Sequence, residues 1–186
     1  LSIREVLDLV IMSGALGYIF MHSIPRPRTP YQMLTEWKGF DWESFKFAIY
    51  VTAPAVVLHE LMHKFVALLL GLKAVFHAWY FGLFLGIFLK IVHSPLILFA
   101  PGYGSISEPT PFLSAITAFA GPGTNLILFF VAWLILERAP RLTQKQAIFF
   151  HLTKQINLFL FIFNMLPIPP LDGSKVFYGL FKVFVG

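Results

Sequence analysis

The chain has 186 residues, of which 58% are hydrophobic and 12% charged, and its formal net charge is +5. A soluble domain carries about 45–50% apolar and about 25% charged residues, so this composition excludes an ordinary cytosolic globule and a disordered tail. The basic residues lie mostly between apolar blocks, where lipid headgroups would be, so we expect no nucleic-acid partner. Because the chain has no cysteine, any metal must be held by nitrogen and oxygen atoms.

The apolar blocks predict an all-α polytopic membrane protein, folded as a single domain over 1–186 and crossing the cell membrane several times, since about 20 apolar residues span a bilayer. Spans are predicted over 6–24, 47–72, 112–136 and 147–166. The segment 75–106 is apolar but interrupted by glycine and proline, which fits either another helix or a re-entrant stretch with strands. A further helix is expected from about 174. The first residue, Leu1, is not methionine and the last block stops in mid-pattern, which leaves room for more helices at either end.

The second predicted span contains the pattern H-E-x-x-H, formed by His59, Glu60 and His63. Residues four apart lie on the same face of a helix, so the two imidazoles can bind one divalent ion, and Glu60 can reach a water on that ion. A glutamate at the centre of a membrane helix costs at least ~2.5 kcal/mol and is expected to face a cavity or a partner. The pattern therefore predicts a metal site inside the membrane.

A catalytic zinc site needs a third protein ligand. The metzincin extension fails, because Val66 and Leu69 stand where glycine and histidine are required. The main candidates are Asp172 and Glu108. Asp172 ends a proline-rich stretch directly after an apolar span, and irregular backbone near membrane depth is tolerated only where protein or a watery cavity faces it. Counting crossings brings Asp172 to the depth of the histidines only if 75–106 returns to the side that it left, so a site at Asp172 requires a re-entrant segment.

Three motifs occur in order on successive spans and together carry a resemblance to a known family. They are His59-Glu60-Leu61-Met62-His63 followed by Ala67, Ala120-Gly121-Pro122-Gly123-Thr124-Asn125, and Asn164-x-x-Pro167-x-x-x-x-Asp172-Gly173. The set resembles the site-2 protease family of intramembrane zinc metalloproteases, prokaryotic type. The sequence departs from the family pattern at Met62, where a small residue is common, and at Ser174, where a second glycine is frequent.

The resemblance implies that His59, His63 and Asp172 ligate one Zn²⁺ per chain and that Glu60 is the catalytic base. It also implies a catalytic core of three helices with the first span as an accessory helix, access to the site from the cytosol, and substrates that are single-span membrane proteins or their remnants. Such an enzyme works within the lipid bilayer. Neither the identity of the substrate nor an oligomeric state follows from the pattern.

A peptide bond within an intact helix is shielded, so a membrane substrate must unwind before it is cleaved, and the enzyme must offer replacement hydrogen bonds. One hypothesis is a strand edge between Phe76 and Gly104 that pairs with the extended substrate. Asn125 and Asn164 are a second candidate source, because each is an amide in an apolar span that could bind substrate or support the site. Gly121 and its neighbours are expected to permit close helix packing near the metal.

The main alternative is a metal-ion transporter or sensor with a buried site of histidine and carboxylate groups. A carrier needs ligands in steps along a path, whereas this chain concentrates its candidates at one depth, which favours hydrolysis. A binding protein that keeps the fold without turnover is a third hypothesis, and the intact Glu60 argues against it.

Overall fold

The computed structural model describes residues 1–24, 39–94, 102–106 and 110–185. Within these ranges the chain forms six helices and two short strands. They are α1 (Ile3–Phe20), α2 (Trp42–Leu69), β1 (Ala74–Ala78), α3 (Tyr80–Ile91), β2 (Gly102–Ile106), α4 (Pro111–Arg138), α5 (Gln144–Asn164) and α6 (Asp172–Val185). The all-α polytopic membrane fold is as predicted. For 75–106, both expectations are realised in part, because a helix lies between two strands. Glu108 lies outside the described residues.

Side-chain caps begin several helices where the sequence changes from polar to apolar. Ser2 and Glu5 form a capping box at the start of α1, and Thr143 and Gln146 form one at the start of α5. Asp41 accepts from backbone amides in the first turn of α2. These side chains satisfy amide groups that have no partner within the helix, so local sequence determines where these helices begin.

Among the described residues, three helices are long and apolar enough to cross a membrane: α2, α4 and α5. Their outward faces carry large apolar side chains such as Ile127, which is 63% exposed, and Phe130, which is 52% exposed. A soluble monomer rarely exposes continuous apolar surface of this kind, which fits contact with lipid. Helix α1 is not among the three, and its first two turns contain Arg4, Glu5 and Asp8. A membrane span over 6–24 therefore stays a prediction.

The two strands make the segment between α2 and α4 return to its starting point. Strand β1 pairs antiparallel with β2, so that Ala74 lies opposite Ile106 and Ala78 opposite Gly102. Helix α4 consequently begins beside the end of α2 and runs back along it. The segment therefore follows a re-entrant path, which is the path that a metal site at Asp172 requires.

The core of the described chain consists of two apolar clusters that both include residues of α2. One joins α1 to α2, β1 and α3 through side chains that include Met12, Leu16 and Phe76. The other joins the C-terminal end of α1 to the first turns of α2 and to α5, through Val51 and Leu152. The face of α2 that carries His59 and His63 is in contact with α4 and α6.

Candidate metal centre

Helix α2 presents His59, Glu60 and His63 on a face that is buried inside the bundle. The three residues are 6%, 8% and 9% exposed. The histidine rings meet edge to face with their centroids 4.7 Å apart, as expected for residues one helical turn apart. Within the part of the chain that the structure describes, no hydrogen bond engages the Glu60 carboxylate. A buried carboxylate with free acceptor capacity thus lies beside the two imidazoles.

Helix α4 packs antiparallel against α2 and orients both imidazoles. The Nδ1 atom of His63 lies 2.7 Å from the backbone carbonyl of Thr117, and the Nδ1 atom of His59 lies 2.6 Å from Oδ1 of Asn125. Both partner atoms are acceptors, so each Nδ1 must carry the proton in the neutral ring. The two Nε2 atoms therefore present lone pairs, and they face each other at 3.1 Å.

Asp172 arrives at the same point from 113 residues further along the chain. It is the first residue of α6, and its Oδ2 lies 3.1 Å from Nε2 of His59 and 3.3 Å from Nε2 of His63. At these separations the Asp172 carboxylate and the two Nε2 atoms can bind one cation together.

Glycine after this aspartate allows the approach. A Cβ atom at Gly173 would lie 2.4 Å from the carbonyl carbon of Met165, the residue that follows the last residue of α5. Because backbone atoms cannot yield as a flexible side chain can, any larger residue would push α6 and its Asp172 away from the histidines. The position after Asp172 is therefore glycine for a steric reason, since only glycine fits against the backbone of Met165.

The three converging atoms fit a tetrahedral metal ion. His59, His63 and Asp172 form a group whose ligand atoms all lie within 4.8 Å of one another. Two atoms each about 2.0–2.1 Å from a tetrahedral zinc lie about 3.3–3.4 Å apart, close to the separations found here. Two lone pairs and a carboxylate repel one another at such distances unless a cation lies between them. The donor set, with nitrogen and oxygen only, is one that binds zinc.

Gly121 brings α4 close to these ligands. A Cβ atom built at this position would lie 2.3 Å from Nε2 of His63 and 2.6 Å from Nε2 of His59. The backbone of α4 therefore forms one wall of the site, and only glycine leaves the histidine nitrogens unobstructed. The predicted packing role of Gly121 has this geometry as its basis.

The two asparagines named from the sequence have different surroundings. Asn125 is fully buried and uses its amide within the protein: Oδ1 faces His59 and Nδ2 donates to the carbonyl of Ala55. Asn164 donates to the carbonyl of Leu160, one turn back in its own helix. The geometry of Asn125 is that of a residue supporting the site, whereas Asn164 makes no hydrogen bond to another side chain among the described residues.

Sequence analysis missed Asn157, which is fully buried in α5 and accepts a hydrogen bond from Nδ2 of Asn125 at 2.8 Å. The sequence offers a signal for Asn157, because it is an amide within an apolar span and lies two turns before Asn164 on the same helix. The carbonyl of Thr117 was not predicted as a partner of His63 either, because a side-chain pattern carries no information about a backbone acceptor.

Two buried acidic residues of α1 cover one edge of the small sheet. The amide of Phe76 donates to Glu5 at 3.0 Å, and the amide of Ala78 donates to Asp8 at 3.1 Å. Lys64 of α2 pairs with the same Glu5 carboxylate. Two amide groups of β1 that point away from β2, those of Phe76 and Ala78, are thus already satisfied by side chains.

Comparison with known proteins gives a consistent result. The family model described as Peptidase family M50 matches residues 137–186, a range that includes Asp172 but not the histidines of α2. A protein of Methanocaldococcus jannaschii named "Putative zinc metalloprotease" is 37% identical over 180 residues, which is 94% of this chain and 84% of that protein. Proteins with the same name occur in Synechocystis, at 32% identity over 74% of this chain and 32% of that protein, and in Bacillus subtilis, at 40% over 35% and 33%.

Proposed function

Since the chain belongs to peptidase family M50, the site-2 protease family of zinc metalloproteases, we propose that it is an intramembrane endopeptidase that cleaves the transmembrane segments of other membrane proteins. The coarser conclusions stand on the family and the fold: the protein is a membrane metalloprotease with a metal cofactor. The finer proposal includes one zinc ion per chain, a multi-pass location in the cell membrane and access from the cytosol.

One observation carries this proposal. Three acceptor atoms from His59, His63 and Asp172 converge within a membrane-spanning bundle, directly beside the carboxylate of Glu60. A site that only stores a metal needs no acid or base next to its ligands, whereas hydrolysis does. We assign His59, His63 and Asp172 as the ligands of zinc.

When bound, zinc supplies a Lewis acid that polarises the peptide carbonyl and lowers the pKa of a coordinated water toward about 7. Glu60 then takes the proton of the attacking water. The water oxygen bonds to the carbonyl carbon, and the bond from that carbon to the amide nitrogen breaks. Glu60 delivers its proton to the departing nitrogen, so the products are a carboxylic acid and an amine and Glu60 is regenerated.

The small sheet suggests where an extended substrate would lie. Because β1 and β2 are antiparallel, alternate residues direct their amide and carbonyl groups toward and away from the partner strand. Phe76 and Ala78 point away from β2, so the residues opposite them, Gly104 and Gly102, point away from β1. The described chain has no third strand beside β2. We therefore propose the outer edge of β2, and not that of β1, as the edge that pairs with an unwound substrate.

The test compares the unchanged protein with Glu60→Gln and with Glu43→Gln, each purified and mixed with a single-span membrane substrate. Glu43 is a matched control because it lies on the same helix but is exposed and pairs with Lys46. We expect one zinc per chain in all three, and a loss of about 10²–10⁴-fold in cleavage rate for Glu60→Gln alone. Cleavage that persists in Glu60→Gln would refute the role of Glu60 as base.

A further inference from the structure

Asn157 is a polar residue that the proposed chemistry does not use. It lies in the middle of α5, is fully buried, and makes no hydrogen bond to the candidate metal ligands among the described residues. Burying an amide is unfavourable unless its donors and acceptor find partners. The contacts that it makes therefore indicate what it does.

The amide of Asn157 has a defined orientation. Its Nδ2 donates to the carbonyl of Thr153 at 2.8 Å, one turn back in the same helix. Since a carbonyl oxygen can only accept, the nitrogen of Asn157 must be on that side and Oδ1 must face the other way. Oδ1 then accepts from Nδ2 of Asn125, on helix α4, at 2.8 Å.

Asn157 in turn orients Asn125. The nitrogen of Asn125 has two acceptors, Oδ1 of Asn157 and the carbonyl of Ala55, which lies 3.0 Å away. If the Asn125 amide were reversed, its oxygen would meet two oxygens and both hydrogen bonds would be lost. The observed orientation therefore places Oδ1 of Asn125 against Nδ1 of His59.

We propose that Asn157 is a positioning residue that acts through Asn125 to hold His59 in the tautomer with an unprotonated Nε2, the form that binds metal. The inference rests on the proposed function in one respect, that His59 is a ligand. It joins three helices into one relay, in which α5 sets the amide of α4 and α4 sets the imidazole of α2. Groups behind metal ligands fix the ring orientation and tautomer of histidine in this way.

A purely structural role is the alternative, because buried asparagines also join membrane helices by simple hydrogen bonds. The two roles differ in what the loss of Asn157 does to His59. A structural role affects the free energy of unfolding and leaves the histidine unchanged. If Asn157 has a positioning role, its loss permits the Asn125 amide to reverse. The reversed amide offers Nδ2 to the His59 ring and favours the tautomer with the proton on Nε2.

Zinc affinity of the purified full chain, measured by competition with a chromophoric chelator, is the first readout. We expect Asn157→Leu to weaken zinc binding by about 10–100-fold, as is typical for loss of a group behind a ligand. Asn157→Asp, which burial favours in its neutral form, keeps one acceptor and one donor and should bind zinc as the unchanged protein does. Thr153→Val is the matched control, because the Thr153 hydroxyl is buried without a partner among the described residues.

Nitrogen NMR of His59 in the metal-free protein is the second readout. The unchanged protein and Asn157→Asp should show the proton on Nδ1, and Asn157→Leu should show a larger share on Nε2. Asn157→Ala replaces Asn157→Leu if the larger side chain prevents folding. Unchanged zinc affinity and tautomer in the folded Leu or Ala variant would overturn the proposal, as would equal weakening by Thr153→Val. Neither readout requires cleavage, so these outcomes are separate from failure of the proposed protease function.

Discussion

Substitution of Gly121 tests the proximity of α4 to the metal ligands without changing any ligand. In Gly121→Ala the new Cβ would lie 2.3 Å from Nε2 of His63 and 2.6 Å from Nε2 of His59. Non-bonded heavy atoms need about 3.5 Å, so the helix or the rings must move by about 1 Å. Metal sites tolerate deviations of only about 0.2 Å in ligand distances, so we expect zinc affinity to fall by about 100-fold or more.

Gly123→Ala is the matched control for this experiment. It lies two residues further along α4, and its Cβ would meet only the edge of the Phe119 ring, at 3.2 Å. Both substitutions replace glycine by alanine within a helix and thus share a propensity gain of about 1 kcal/mol. The difference in zinc affinity between the two variants isolates the steric effect at the site.

The assay is chelator competition on the detergent-purified variants, with zinc content measured after dialysis and folding checked by thermal unfolding. We expect Gly123→Ala to keep its zinc and Gly121→Ala to lose most of it while both remain folded. Zinc binding by Gly121→Ala equal to that of the unchanged protein would show that α4 does not form a wall of the site and would refute the reasoning.

Three further predictions concern the proposed third ligand Asp172, the glycine that follows it, and the buried Glu5 of α1. Asp172→Ala should weaken zinc binding by more than about 100-fold, since even the loss of a group behind a ligand costs about 10–100-fold; full zinc occupancy would move the third ligand elsewhere. Gly173→Ala should lower both zinc affinity and thermal stability, because its Cβ would lie 2.4 Å from the backbone of Met165; an unchanged melting temperature would contradict this. Burial would raise the pKa of Glu5, but the Lys64 ammonium and backbone amides lower it from 4.5 to about 2. Its stabilising effect is therefore complete above about pH 4.5 and disappears as the pH falls to about 2, so the gap in melting temperature between the unchanged protein and Glu5→Gln should close over that range.

The amino-acid sequence by itself determined the features that depend on near neighbours in the chain. Apolar runs of about 20 residues indicate the membrane helices, and the capping box of Ser2 and Glu5 determines where α1 begins. The spacing of His59 and His63 places both rings on one face of a helix, whatever packs against it. These inferences hold because helical periodicity and caps act within one or two turns.

Only the tertiary structure decided the features that depend on contacts between distant helices. It brings Asp172 to the two histidines, sets Asn125 behind His59 and places Gly121 against the ligand atoms. It also places Glu5 and Asp8 of α1 against the amides of Phe76 and Ala78 in β1. Asn157 could not be given a role from the sequence, because a buried amide has a function only through the partners that face it. Those partners lie on other helices, and their positions follow from the packing of the whole bundle and not from any local pattern.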